Sequence, residues 1–220
     1  MPPQGQMPQG LLPERYRELL VSDLSPAEVY RRCVQLVLED GSSGDYELTE
    51  TVVYGCEVRL ALEVLRHGPP ESWHNFGDPT GHAEDDLWRL LDPLRPRRLA
   101  FVGSGPYPVT ACLVSARYPG AELVCVDNNI VAHLLGEAVL EVASVPARFV
   151  FADAAALDYR GFDAVIVAAM VSAKQALVER LLEETTALVV VRSKLDVEHP
   201  RLAAFPSPFG DDGAFSGRSA

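Results

Sequence analysis

From residue 99 onward, short apolar runs alternate with longer stretches of helical spacing. The runs LAFVG (99 to 103), ELVCVD (122 to 127), RFVFA (148 to 152), DAVIVA (163 to 168) and ALVVV (187 to 191) are short and nearly continuous, as strands buried on both faces are. Residues 108 to 117, 130 to 143 and 174 to 184 fill the gaps as helices. This alternation predicts βαβ units, and hence an α/β protein with a Rossmann-like core of about five mostly parallel strands. Upstream the period is helical throughout. Ser25-Pro26-Ala27-Glu28 reads as a capping box with proline at the first helical position, followed by Val29, Cys33, Leu36 and Val37, so a helix is expected to Asp40. Beyond the turn-rich stretch from Gly41 to Gly44, Val52, Val53, Leu60, Val64 and Leu65 mark a second helix, stopped at Gly68-Pro69-Pro70. A third begins after Thr80 and ends before Pro93, with Glu84, Leu87, Trp88 and Leu91 on one face. The predicted organisation is a mobile N-terminus (1–13), a helical cap (14–95), the α/β core (96–205) and a mobile tail (206–220).

Composition narrows the partners. A chain of 220 residues with 48% hydrophobic content can build one continuous core. The 31 acidic residues against 19 basic give a net charge of −12, which opposes the counterion release that draws proteins to nucleic acid and works equally against anionic membranes. Neither is an expected partner. There is no run of 18 apolar residues, and MPPQGQMPQG has neither the basic nor the apolar region of a signal peptide, so a cytoplasmic location is expected. Cys33, Cys56, Cys112 and Cys125 show no metal-ligand spacing, nor do the five histidines, so buried reduced thiols and no metal are expected. What remains is a small-molecule substrate; a homodimer is compatible with the sequence.

The chemistry concentrates at strand ends. The first βα turn, Phe101-Val102-Gly103-Ser104-Gly105-Pro106-Tyr107-Pro108, places two glycines where the chain must turn sharply and a ligand approaches the backbone. A dinucleotide fingerprint needs Gly or Ala where Pro108 stands. The loop therefore suits an uncharged or cationic ligand portion better than a pyrophosphate. Asp127 ends the second strand, where a carboxylate can accept hydrogen bonds from both ribose hydroxyls, and Asp153 follows the third, where an acceptor can meet an adenine amine. Each alone also reads as a turn or helix-cap residue. Tyr107, Trp73, Phe76 and Tyr54 are aromatic faces for a cation, and Arg192, after the fifth strand, is a partner for a ligand carboxylate.

These features resemble the class I S-adenosylmethionine-dependent methyltransferase fold, without room for its common antiparallel hairpin after the fifth strand. The stretch from Trp73 to Pro206 further resembles the nicotianamine synthases and related aminocarboxypropyl-transferring enzymes. The carriers are the glycine loop with Pro106, Pro108 and Thr110, Ala168-Ala169-Met170-Val171, Val191-Arg192-Ser193, and Trp73-His74-Asn75-Phe76 with Glu84 and Leu87. The resemblance implies S-adenosylmethionine as substrate, cleavage between sulfur and the aminocarboxypropyl γ-carbon, and release of methylthioadenosine (MTA). It implies Glu84 and, more weakly, Tyr107 as catalytic residues. The candidate substrate site as a whole is drawn from Gly103, Ser104, Gly105, Pro106, Asp127, Asn128, Asp153, Ala154, Ala169, Tyr54, Trp73, Asn75, Phe76 and Arg192. The residues allow Glu84 a role as proton acceptor because it shares an apolar helix face; beside Asp85 and Asp86 it also reads as a solvated acid.

The region before Trp73 is short for an enzyme that holds a large acceptor, and the layout is similar to azetidine-2-carboxylate synthase, in which the substrate's own α-amine closes a four-membered ring. Cyclisation is therefore the expected reaction. Intermolecular aminocarboxypropyl transfer, methyl transfer and ligand binding without turnover are the rivals.

Overall fold

Residues 14–39, 46–71, 73, 82–192, 195 and 197–204 are described by a computed structural model of the chain. The apolar runs become strands because both of their faces are covered. In β1 (Arg98–Val102), Leu99 and Phe101 enter one layer of the core, while Ala100 and Val102 enter the other. The same division holds for β2 (Glu122–Asp127), where Leu123 and Cys125 oppose Val124 and Val126. The first layer is closed by α4 (His82–Leu94) through Leu87 and Leu91, α5 (Val109–Arg117) through Ala111, Cys112 and Val114, and α6 (Ile130–Val142) through Leu140. The second is closed by α7 (Lys174–Glu184) through Leu177, Val178, Leu181 and Leu182.

With β3 (Ala147–Phe151), β4 (Ala164–Val167), β5 (Leu188–Val191) and β6 (Leu202–Ala204), the strands form a wholly parallel sheet in the order β3-β2-β1-β4-β5-β6. Phe101 stands opposite both Cys125 and Ile166, so β1 lies between β2 and β4. Chain order reverses there, and the crevice at the carboxyl ends of β1 and β4 is the usual ligand position of an open α/β sheet.

Three expectations are corrected. The sheet has six strands rather than about five. Leu202–Ala204 is too short to show a period, and it is secured partly by the Arg201 guanidinium, which donates to the carbonyls of Leu182 (2.5 Å), Thr185 (2.5 Å) and Ala187 (3.3 Å). The third helix continues through Pro93 to Leu94, because a missing N–H in the last turn removes only one of its hydrogen bonds. This helix, α4, packs on the sheet rather than with the other N-terminal helices.

Those others are α1 (Glu14–Leu20), which the sequence pattern did not reveal, α2 (Pro26–Glu39) and α3 (Tyr46–His67). Ser25 caps α2 as expected, its hydroxyl accepting from Glu28 N at 3.3 Å. Tyr16, Val29, Tyr30, Cys33, Val52, Val53 and Cys56 form their shared core, joined by Met170 from the loop after β4. Further along α3, Ala61 and Val64 pack against Tyr107, Val109 and Val139. Among the described residues no helix is long and apolar enough to cross a membrane, and no cluster of side chains suits a metal ion. The termini expected to be mobile, and the turn from Gly41 to Gly44, lie outside the described residues.

Candidate active site

The glycine loop is a backbone device. Gly103 N and Ser104 N donate to Val126 O at 2.8 and 3.3 Å, folding the chain over the end of β2. Gly103 and Gly105 have φ of +71° and +68°, a region that side chains disfavour. There is also no space: a Cβ on Gly103 would stand 2.5 Å from Val171 Cγ2, and one on Gly105 the same distance from Glu57 Oε2. Ser104 is buried, and its hydroxyl has no hydrogen-bond partner among the described residues.

Asp127 braces this loop. Its Oδ2 accepts from Gly105 N and its Oδ1 from Asn129 N, both at 2.9 Å. Burial raises its pKa, against the lowering effect of these backbone donors. Asn129 in turn caps α6, its Oδ1 accepting from Val131 N at 2.9 Å and Ala132 N at 3.2 Å. The same oxygen accepts from Tyr54 Oη of α3 at 3.2 Å.

One turn beyond Tyr54 on α3 is Glu57. Burial pushes its carboxyl up to about 8; Asp127 adds to the rise and Arg192 opposes it. Arg192 is half-buried just after β5, where its N donates to Val167 O at 3.1 Å. Tyr54 is itself pushed up to about 12, by burial first and then by Asp127 and Glu57. The Glu57 carboxyl and the Tyr54 phenol thus come from one helix, α3, with Glu57 against Gly105 and the Arg192 charge acting on Glu57 from the end of β5.

Of the residues singled out on sequence, Gly103, Ser104, Gly105, Asp127, Tyr54 and Arg192 come together here. Asn128 follows Asp127 as an exposed residue. Asp153 is exposed and caps a short 3-10 turn, accepting from Ala155 N at 2.9 Å; Ala154 packs against the core. Ala169 presents its carbonyl to Lys174 Nζ at 2.5 Å. Asn75 and Phe76 lie outside the described residues.

Two placements differ from what the sequence pattern suggested. The Tyr107 ring packs inward against α3 and α6. With Pro106 and Pro108 on either side, it is 6% exposed in the apolar cluster with Ala61 and Val64, 5.6 Å from the Trp73 ring. Trp73 is partly buried against the same cluster. Glu84 is half-buried in the first turn of α4, whereas the carboxyl that meets Gly105 is that of Glu57. A signal for Glu57 was present: Tyr54, Glu57, Ala61 and Val64 recur at helical spacing, placing an acid on a buried stripe.

No protein-family model matches the sequence, and no curated protein matches it. Solved structures do. A glutamate-to-glutamine mutant of the nicotianamine synthase MtNAS aligns with a TM-score of 0.54 at 21% identity, over 70% of this chain and 61% of that one. MtNAS in complex with MTA and tNA aligns with a TM-score of 0.53 at 24% identity, over 63% and 55%. The chain is a Rossmann-like methyltransferase fold. It spans somewhat more than half the length of these MtNAS chains.

Proposed function

We propose that the chain binds S-adenosylmethionine across the glycine loop and attacks the γ-carbon of its aminocarboxypropyl group, with the substrate's own α-amine as nucleophile. The products are azetidine-2-carboxylate and MTA. The observation that carries this reading is the Glu57 carboxyl, held against Gly105 and pushed up to about 8 by burial. In its ionised form, whose share grows as pH approaches 8, such a group is basic enough to take a proton from a substrate ammonium.

In the reaction, the ionised Glu57 carboxylate accepts one proton from the α-ammonium. The freed lone pair attacks the γ-carbon opposite sulfur, the carbon–sulfur bond breaks, and its electrons remain on sulfur as MTA becomes a neutral thioether. The ring nitrogen leaves as a secondary ammonium. Asp127 accepts from the ribose hydroxyls with the lone pairs its backbone donors leave open, and the Arg192 guanidinium pairs with the substrate carboxylate. Ser104 offers its hydroxyl to the ligand. Holding amine and γ-carbon in near-attack geometry can supply roughly 7 to 11 kcal/mol in favourable systems, less the strain of a four-membered ring.

Intermolecular aminocarboxypropyl transfer is the second reading, favoured by the MtNAS likeness and the MTA and tNA bound in one of those structures. One incubation separates the two. With S-adenosylmethionine alone, mass spectrometry should find MTA and azetidine-2-carboxylate in equal amounts. MTA formed only when an amine is added would move the reading to intermolecular transfer, and S-adenosylhomocysteine would move it to methyl transfer. Binding without any product would leave a non-catalytic ligand-binding protein.

A further inference from the structure

We propose that Tyr54 is a positioning residue whose hydrogen bond to Asn129 ties the helix carrying Glu57 to the loop carrying Asp127 and so sets where the Glu57 carboxyl stands. This rests on the reading that Glu57 takes the substrate's proton.

The contacts close into a ring. Tyr54 Oη donates to Asn129 Oδ1, Asn129 N donates to Asp127 Oδ1, Asp127 Oδ2 accepts from Gly105 N, and Gly105 faces Glu57, one helical turn from Tyr54. The tie is not needed for the cap it lands on. Asn129 Oδ1 already accepts from Val131 N and Ala132 N, which engage the two lone pairs of an amide oxygen. A third donor adds little to α6 but fixes α3 in rotation and along its axis. On the other side of Glu57, Ala61 and Val64 pack on Val139 of α6. Apolar packing sets the distance between helices but resists sliding weakly, being non-directional. Arg59 ties α3 to the α1–α2 segment by donating to Leu24 O at 2.7 Å, but toward α6 and the glycine loop Glu57 is flanked by one directional anchor, Tyr54, and one apolar anchor.

Position matters because the surroundings of Glu57 are charged on several sides. Asp127 faces it from β2, Arg192 from the end of β5, Tyr30 from α2, and Tyr54 from its own helix; Cys56 adjoins it, beside Cys33. A slide of α3 changes the balance between Asp127 and Arg192 at the carboxyl.

The test uses the full chain with Tyr54→Phe, Asn129→Ser and the double variant. Serine still caps a helix but is too short to reach Tyr54. Carbon-13 NMR of the labelled Glu57 carboxyl should show its midpoint falling from near 8 in both single variants, by similar amounts, with no further fall in the double. In turnover, kcat should drop about 10-fold in each single variant with KM within about twofold, and the double should be no worse than the worse single. An unmoved midpoint in Tyr54→Phe, or additive effects in the double, would overturn the tie. Products absent from the wild-type protein would instead overturn the catalytic reading, leaving the NMR midpoints to decide the tie alone.

Discussion

Glu57 Oε2 occupies the space that a side chain on Gly105 would need, so a residue of α3 and a residue 48 positions later form one surface. Gly105→Ala would meet both this carboxyl and the positive φ. The backbone cost alone is about 1 to 2 kcal/mol, which for a chain of this size corresponds to a Tm lower by roughly 2 to 8 °C. Scanning calorimetry should find that drop, together with loss of S-adenosylmethionine binding; an unchanged Tm and affinity would refute the close packing.

Glu57→Gln keeps the shape and removes the titration. A general base of this kind contributes roughly 100-fold to 10,000-fold to rate, and kcat should fall within that range. The wild-type rate should rise as pH approaches 8 and the carboxyl ionises, while the variant should lack that limb. Identical pH–rate profiles would remove Glu57 from the proton transfer.

Stability should carry the same signature. Because the folded pKa lies above the ordinary glutamate value of 4.5, the folded state binds a proton more tightly than the unfolded one. The wild-type chain is therefore most favoured below pH 4.5 with respect to this group, and loses stability as pH rises towards 8. Glu57→Gln should flatten that part of the curve, so its Tm relative to wild type should improve between pH 5 and 8. A constant Tm difference over this range would contradict the raised pKa.

The Ser104 hydroxyl is buried without a partner among the described residues, so its removal should leave the unliganded protein as stable as before or slightly more so. If it meets the substrate, Ser104→Ala should weaken S-adenosylmethionine binding by roughly 0.5 to 1.5 kcal/mol, or about 2-fold to 13-fold. Titration calorimetry with a melting curve reads both quantities. Unchanged affinity would assign Ser104 to packing.

Asp127 braces the loop through Gly105 and Asn129 as well as facing the proposed ribose position. Asp127→Asn should therefore lower both Tm and S-adenosylmethionine affinity, with an affinity loss of roughly 1 to 3 kcal/mol from the lost charge-assisted bonds. A variant weakened in Tm alone would reduce Asp127 to a loop brace.

The strands were legible because a parallel sheet buries both faces, and β1 to β5 stand as the unbroken apolar runs predict. The glycine loop was legible because its prolines and glycines dictate backbone geometry locally. What was not legible is tertiary. Tyr107 sits in the loop, yet its ring packs away against α3 and α6, which no local pattern records. Glu57 and Glu84 both lie on apolar helix stripes, and only the packing of α3 against α6 decides which one reaches Gly105. The short β6 depends on contacts from Arg201 to the end of α7 and the turn before β5, and so left no periodic trace.

The four cysteines have a use independent of any reaction. Cys33 and Cys56 are 0% exposed in the helical layer, and Cys112 and Cys125 are at most 1% exposed in the sheet layer. A thiol reagent can modify either pair only when its layer opens. The kinetics of labelling, resolved by mass, would therefore clock the breathing of the layer that carries Glu57 separately from that of the parallel sheet. Ligand added to the same experiment would show which of the two it holds shut.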